Sequence, residues 1–287
     1  MILALGQMRP EINNKKANIE KMLAMAKEAS DDGADFIAFP ELCLTGYLSH
    51  KKHIEHAEEV AGSLTIDKLK KMAKDENISI VFGMPERSGT LVFNSAILVE
   101  PSGEVKVYRK TYLVTFEYDG VEYQEHMYFR PGNSNLEPFT TRFGKIGVEI
   151  CYDFWFPEIV KAYCLQGAWL VINISAAPFE VPNIVHTVCR ARAVEHQTFF
   201  AYVNQVGSEE AIDFMGRSFI VNHDSEIIKE ASFSSEMKEE IIKAELNPAE
   251  IIRTRLDLPV LRDVRPEVLY KVANIAENLY YPGGKAD

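Results

Sequence analysis

The chain has 287 residues, 47% hydrophobic and 25% charged, an ordinary composition for a soluble globular protein with length enough for a large core. Its formal net charge of −11 argues against a nucleic-acid partner, because phosphate binding needs a basic footprint. No apolar run approaches membrane-spanning length, Met1 to Gln7 lacks the basic region of a signal peptide, and the four cysteines are not closely paired, so a cytoplasmic location is expected.

Ile2 to Gln7 reads as a strand that starts at once. Ile19, Met22, Leu23 and Ala26 then recur at helical spacing and predict a helix laid on a sheet. Phe36 to Phe39 is a short apolar run ended by Pro40, a buried strand running into a loop. A helix over Ser63 to Asp75 precedes a strand at Ile78 to Phe82. Leu91 to Val99 and Glu104 to Tyr108 flank Pro101-Ser102-Gly103, a hairpin turn. From Tyr112 to Pro138 the pattern dissolves, and so long an irregular stretch inside a compact domain is usually functional.

Order returns with a strand at Lys145 to Ile150, a helix at Pro157 to Gln166 and a strand at Trp169 to Ile174. A helix near Asn183 to His196 leads into a strand at Phe199 to Asn204. Arg217 to Val221 and Ile227 to Glu230 then bracket a turn at His223-Asp224. Residues 248–287, rich in Pro and Arg, read as a tail draped over the domain or over a partner subunit. No linker or solenoid repeat divides the chain, so residues 1–287 are expected to form one α/β domain. Periodicity alone leaves open two face-to-face sheets with helices outside and a doubly wound sheet.

Three residues carry chemistry. Cys151 closes the run Ile146 to Ile150 and precedes Asp153-Phe154-Trp155-Phe156-Pro157, a strand-to-helix turn that exposes a nucleophile beside free backbone N–H groups. It can equally be one more small buried side chain. Glu41 follows Pro40, where a dry pocket would make it a base able to take a thiol proton. Lys110 ends a β-prone run and can stabilise an oxyanion while lowering a thiol pKa. Alone, either is a solvated surface charge. His50, His53 and His56, with Cys43 nearby, form a weak zinc pattern; helical drift makes joint ligation awkward, and no metal is expected. Cys164 and Cys189 each follow a valine by four on an apolar stripe and belong to the core.

In order, Phe39-Pro40-Glu41-Leu42, Tyr108-Arg109-Lys110, Cys151-Tyr152-Asp153-Phe154-Trp155-Phe156-Pro157-Glu158 and Arg190-Ala191-Arg192-Ala193-Val194-Glu195 resemble the nitrilase, or carbon–nitrogen hydrolase, superfamily. The resemblance runs from Leu3 to about residue 265. It implies a four-layer α-β-β-α sandwich in a single domain, assembled as a homo-oligomer, a dimer or larger. It also implies a Glu-Lys-Cys triad of Glu41, Lys110 and Cys151, with the Tyr152 N–H helping Lys110 hold the oxyanion and no cofactor. Tyr123 to Gly132 resembles the family segment carrying a second glutamate, which nominates Glu125 for positioning Lys110 or substrate. Tyr47, Ala176 and Ala177 are expected around the pocket, and Asp153 is expected to order the elbow.

The departures bear on substrate. Tyr112 stands where many relatives have histidine, and no arginine follows the cysteine to clamp a carboxylate. Phe154 and Trp155 stand there instead. Trp155 is either an aromatic wall favouring a neutral or cationic substrate end or mere packing beneath the helix. A small non-peptide amide is the expected substrate, with an N-carbamoyl amine of the carbamoylputrescine kind as the alternative. Nitriles are less expected, since nitrilases typically show Cys-Trp-Glu at the nucleophile. A partner-dependent glutaminase and a non-catalytic binding protein are the rival classes, and the intact Glu41, Lys110 and Cys151 argue against the latter.

Overall fold

The computed structural model describes residues 1–118, 120–132, 136–178, 182–233 and 236–280. The first half runs β1 (Ile2–Gln7), α1 (Lys15–Asp31), β2 (Phe36–Ala38), α2 (Lys52–His56), β3 (Glu58–Glu59), α3 (Leu64–Asp75), β4 (Ser79–Ser88), β5 (Leu91–Val99) and β6 (Val105–Arg109). The Asn14 side chain caps α1 by accepting from Ala17 N, and Ser63 caps α3 by accepting from Ile66 N. The apolar stripes of both helices lie on one sheet. Ile19, Met22 and Ala26 of α1 and Ile66, Leu69 and Ala73 of α3 join Ile37, Ile80, Phe82 and Ile97 in one buried cluster.

The second half begins with a hairpin of β7 (Thr115–Tyr118) and β8 (Val121–Gln124), then a single 3-10 turn at Glu125–Met127. Next come β9 (Phe139–Thr141), β10 (Gly144–Ile150), a 3-10 turn at Cys151–Trp155, α4 (Pro157–Leu165), β11 (Leu170–Ser175), α5 (Pro182–Glu195) and β12 (Phe199–Asn204). A second hairpin of β13 (Val206–Glu209) and β14 (Ile212–Met215) precedes β15 (Phe219–Val221), β16 (Ile227–Glu230) and β17 (Glu240–Glu245). The chain then forms α6 (Pro248–Asp257) and α7 (Pro266–Tyr280).

Two sheets result, ordered β17-β1-β2-β4-β5-β6 (with β3 against β4) and β16-β15-β12-β11-β10-β9. Leu3, Leu5, Phe36, Val81, Ala96 and Leu98 of the first share a buried cluster with Ile146, Val148, Ile150, Leu170 and Ile172 of the second. Each such side chain contributes about 1.5–3 kcal/mol relative to an exposed one. With α1 and α3 outside the first sheet and α4 and α5 packed on the second, the layers are α-β-β-α. The doubly wound alternative is thereby set aside.

Two expectations need correction, and the tail takes a definite form. The stretch Tyr112 to Pro138 is not wholly irregular: it holds the β7–β8 hairpin and the Glu125 turn, although residues 119 and 133–135 lie outside the described residues. The tail of residues 248–287 forms α6 and α7 joined by the non-helical stretch 258–265, with residues 281–287 outside the described residues. Ile251 of α6 is buried and Arg255 donates to the carbonyls of Gln197 and Ala168, so α6 lies on its own domain. In contrast α7 leaves Val268, Leu269, Val272, Ile275 and Leu279 exposed. Finally, β3, β9, β13, β14 and β17 were not expected; β17 pairs with all of β1, Ile2 opposite Glu245 through Gln7 opposite Glu240.

Candidate active site

Strands β1, β2 and β4 are mutually parallel, and β6 shares their direction because both it and β4 run antiparallel to β5. In the other sheet β10, β11 and β12 are parallel. Glu41 lies just past the carboxyl end of β2, Lys110 directly past β6, Cys151 directly past β10 and Ala176 directly past β11. Such ends are where α/β folds place ligands.

Glu41 is 0% exposed and Lys110 1%. The Lys110 ammonium lies between two carboxylates, donating to Glu41 Oε1 and to Glu125 Oε1, each at 2.7 Å. Glu41 Oε1 also accepts from Asn94 Nδ2 at 2.7 Å, and its Oε2 accepts from the Ala176 N–H at 3.0 Å. Glu125 Oε1 accepts from the Tyr47 hydroxyl at 2.8 Å, and Oε2 from the Val114 N–H at 3.0 Å. Burial alone would lower the Lys110 pKa, but Glu125 and Glu41 override it and hold the ammonium well above the ordinary lysine range. Burial raises the Glu125 carboxyl, and Lys110 partly offsets it.

The backbone is shaped to bring these groups together. A Cβ on Gly83 of β4 would stand 2.3 Å from Leu42 N, so only glycine lets the Glu41 loop come so close. A Cβ on Gly132 would meet Arg109 O at 2.3 Å, where Gly132 N donates to Lys110 O at 2.7 Å. Asn94 serves twice, since its carbonyl accepts from Lys110 N at 2.8 Å while its side chain holds Glu41.

Cys151 has φ +45°, the strained left-handed conformation of a nucleophile on an elbow. Asp153 orders that elbow, accepting from Ile150 N at 3.1 Å, Tyr112 N at 2.9 Å and the Tyr108 hydroxyl at 2.7 Å. Arg192, on the helix bearing the Arg-Ala-Arg-Ala-Val-Glu motif, donates to Phe154 O at 3.0 Å and Trp155 O at 3.1 Å and clamps the far end of the turn. Burial, then Glu41, push the Cys151 thiol up to about 12, while Lys110 pulls it down.

Above Cys151 opens a cavity of about 300 Å³. The sequence-predicted Tyr47, Tyr152, Trp155, Ala176 and Ala177 all line it, joined by Val114, Phe116, Phe154, Pro178, Ile184 and Val185. Trp155 is 42% exposed and stacks on Phe154, so it stands at the opening rather than beneath the helix. Among the described residues, Glu117 is the one charged side chain on the wall. Tyr112, in the position where histidine was expected, stacks face to face on Phe156 at 3.5 Å between centroids.

The three histidines do not converge. His53 is buried against Tyr47 O at 2.9 Å, whereas His50 pairs with Glu210 on the surface. Among the described residues no group of three or more His, Cys, Asp or Glu side chains can hold a metal ion. Sequence reasoning missed Asn94, and with it Glu149, Asn173 and Ser175 behind the nucleophile. The available signal was a polar residue inside an otherwise apolar strand, which a buried position must satisfy.

A family model described as carbon-nitrogen hydrolase matches residues 2–256. A "Nitrilase" of Pyrococcus abyssi (strain GE5 / Orsay) is 31% identical over 94% of this chain and 99% of its own. An "N-carbamoylputrescine amidase" of Oryza sativa subsp. japonica is 30% identical over 89% of this chain and 88% of its own. A solved mutant of the amidase from Nesterenkonia sp. AN1, with the acetamide moiety of fluoroacetamide added covalently at its active-site cysteine, superposes with TM-score 0.77 at 25% identity, covering 94% and 96% of the two chains. The match spans both sheets and every segment that builds the site, and on that ground the chain is an enzyme belonging to the carbon–nitrogen hydrolase family.

Proposed function

We propose that the chain hydrolyses a small, largely apolar non-peptide amide to a carboxylic acid and ammonia through a thioester on Cys151. The observation that carries this reading is the Lys110 ammonium between Glu41 and Glu125, whose partners Ala176 and Tyr47 line the same apolar cavity as Cys151. Glu41 takes the Cys151 proton as sulfur attacks the amide carbon, and Lys110 with the Tyr152 N–H holds the oxyanion. Protonated Glu41 passes that proton to the leaving nitrogen, the C–N bond breaks, and ammonia departs. Glu41 then removes a proton from water, whose oxygen attacks the thioester; the C–S bond breaks and the proton returns to sulfur. Glu125 positions Lys110, and the scheme uses no metal or cofactor.

The walls favour an uncharged acyl group. Among the described residues no arginine lines the cavity to pair with a carboxylate, and no cluster of polar side chains there suits the ammonium and carboxylate of glutamine, which weighs against a glutaminase. Glu117 supports one second reading, an amide or carbamoyl amine whose far end is an ammonium resting between Glu117 and the aromatic rings. Free, buried cysteines support a reducing compartment such as the cytoplasm, and among the described residues no helix is long and apolar enough to cross a membrane. The apolar side chains on α7 support a homo-oligomer in which a second copy covers that helix. On this reading residues 1–287 remain one domain, with α6 on that domain and α7 reaching the partner.

Ammonia release from short aliphatic amides, aromatic amides, carbamoyl amines and nitriles, with Cys151→Ala as control, tests the proposal. Release from a neutral amide that vanishes in the variant supports it, and turnover that survives Cys151→Ala refutes it. A preference for ammonium-ended substrates that Glu117→Gln weakens would select the second reading.

A further inference from the structure

Among the described residues three donors meet Glu41, and they divide unequally between its two oxygens. Oε1 accepts from Lys110 Nζ and from Asn94 Nδ2, both at 2.7 Å, whereas Oε2 accepts from the Ala176 N–H alone, at 3.0 Å. A carboxylate offers about two acceptor sites on each oxygen, so Oε1 is filled and Oε2 keeps one site. The two oxygens are also held from different sheets. Asn94 lies on β5, and its carbonyl accepts from Lys110 N, so one residue sets both the carboxylate and the ammonium. Ala176 follows β11, and Asn204 at the end of β12 clamps its neighbour: Oδ1 accepts from Ala177 N at 2.8 Å and Nδ2 donates to Ala177 O at 3.2 Å. Asn94 is fully buried, and its Oδ1 has no hydrogen-bond partner among the described residues. Turning that oxygen toward Glu41 would set an acceptor against a carboxylate, so the neighbour dictates which end of the amide faces it. A buried amide with one end unmatched is a cost to the fold, and the contact its other end makes is the one to Glu41.

We propose that Asn94 is a positioning residue that makes Oε2 the working oxygen of Glu41: together with Lys110 it fills Oε1 and fixes the carboxylate plane, so the proton travels on Oε2. The inference rests on Glu41 being the base of the reaction above, and it names the atom. Oε2 takes the thiol proton as the S–H bond breaks and sulfur attacks the amide carbon. The same oxygen hands that proton to the leaving nitrogen as the C–N bond breaks. Oε1 stays hydrogen-bonded to Lys110 throughout, so the ammonium keeps its place while Glu41 changes charge. Without Asn94, Oε1 has a site open to the proton, and the carboxylate is free to turn on its two remaining contacts. A proton carried on Oε1 lies on the side away from Ala176 and the cavity that Cys151 lines.

The test measures kcat and KM for the best amide in wild type, Asn94→Leu, Glu41→Gln and the double variant. In parallel, infrared spectroscopy of protein carrying isotope-labelled glutamate follows the Glu41 carboxylate stretch, identified as the band that Glu41→Gln removes. A hydrogen bond to a charged group is worth about ten- to 150-fold, so Asn94→Leu should lower kcat about tenfold or more. KM should stay nearly unchanged, because Asn94 stands outside the cavity wall. In the Glu41→Gln background the same substitution should change kcat by less than about twofold, since glutamine carries no proton for Asn94 to direct. A residue that merely props the strand would cost the same in both backgrounds. Asn94→Leu should also move the Glu41 band, because the carboxylate loses one donor. Equal losses of kcat in the two backgrounds, or a band that stays in place, overturn the proposal. If Asn94→Leu does not fold, the smaller Asn94→Ala carries the same readouts. Failure of the amidase reading stays separate: wild type that releases ammonia from no substrate would refute that reading, and the infrared band, which needs no turnover, then decides the Asn94 contact by itself.

Discussion

Replacing Glu125 by glutamine separates the two carboxylates on Lys110. Glu125 accepts three hydrogen bonds, from Lys110 Nζ, the Tyr47 hydroxyl and the Val114 N–H. Glutamine has one oxygen. Turned toward Lys110 and Tyr47, it keeps those two contacts and sets its NH2 against the Val114 N–H, losing one bond and the charge on another. At about 1.5–3 kcal/mol for a hydrogen bond to a charged group, kcat should fall about ten- to 150-fold. Glu41→Gln removes the proposed proton acceptor and should lower kcat about 10²- to 10⁴-fold. The thiol should respond in the opposite sense. Burial, Glu41 and Glu125 all raise its pKa, so Glu125→Gln should move iodoacetamide alkylation of Cys151 to lower pH while ammonia release slows. Turnover in Glu125→Gln at or below that of Glu41→Gln would falsify the assignment and exchange the two roles.

Asp153→Asn cannot satisfy the three donors that meet Asp153, and it should destabilise the fold by about 1–3 kcal/mol in chemical denaturation; an unchanged midpoint would show that the elbow is held otherwise. Burial pushes the Glu149 carboxyl from its ordinary 4.5 up to about 8, so the folded chain keeps a proton that the unfolded chain releases. That contribution is complete below the unfolded pKa and is lost as pH rises through about 8, so the melting temperature of wild type should decline relative to Glu149→Gln over this range. Parallel curves would mean that Glu149 does not hold its proton. Charged substitutions at Leu269 and Val272 on α7 should lower the particle mass measured by sedimentation, and a wild-type monomer would contradict the covered helix.

Much of this was legible because single strands carry strong local signals. Apolar runs such as Leu170 to Ser175 and helical stripes such as Ile19, Met22 and Ala26 declare themselves. So do Glu41, Lys110 and Cys151, each at a strand end. Strand β17 was hidden, since its half-buried Glu240 to Glu245 carries alternating charges and becomes a strand only by pairing with β1, far away in sequence. Helix α7 was hidden by the Pro and Arg residues around it. The partners of the triad were harder still. Asn94 is one amide in an apolar strand, and nothing nearby in sequence says that it reaches the carboxylate of Glu41. Such contacts depend on which strands lie side by side, and local pattern carries little of that information.

The burial of the triad also bears on how a turnover ends. On the proposed reaction, hydrolysis leaves a carboxylic acid beside Glu41 and Glu125, two carboxylates that share one ammonium and meet almost no solvent. As that acid ionises, its negative charge joins the carboxylates of Glu41 and Glu125 around the Lys110 ammonium, where burial makes like charges repel far more strongly than in water. The amide that entered was neutral and met no such force. On that reading the same two side chains that tolerate the amide repel the acid, and inhibition by the acid should weaken as pH rises through the acid's own pKa.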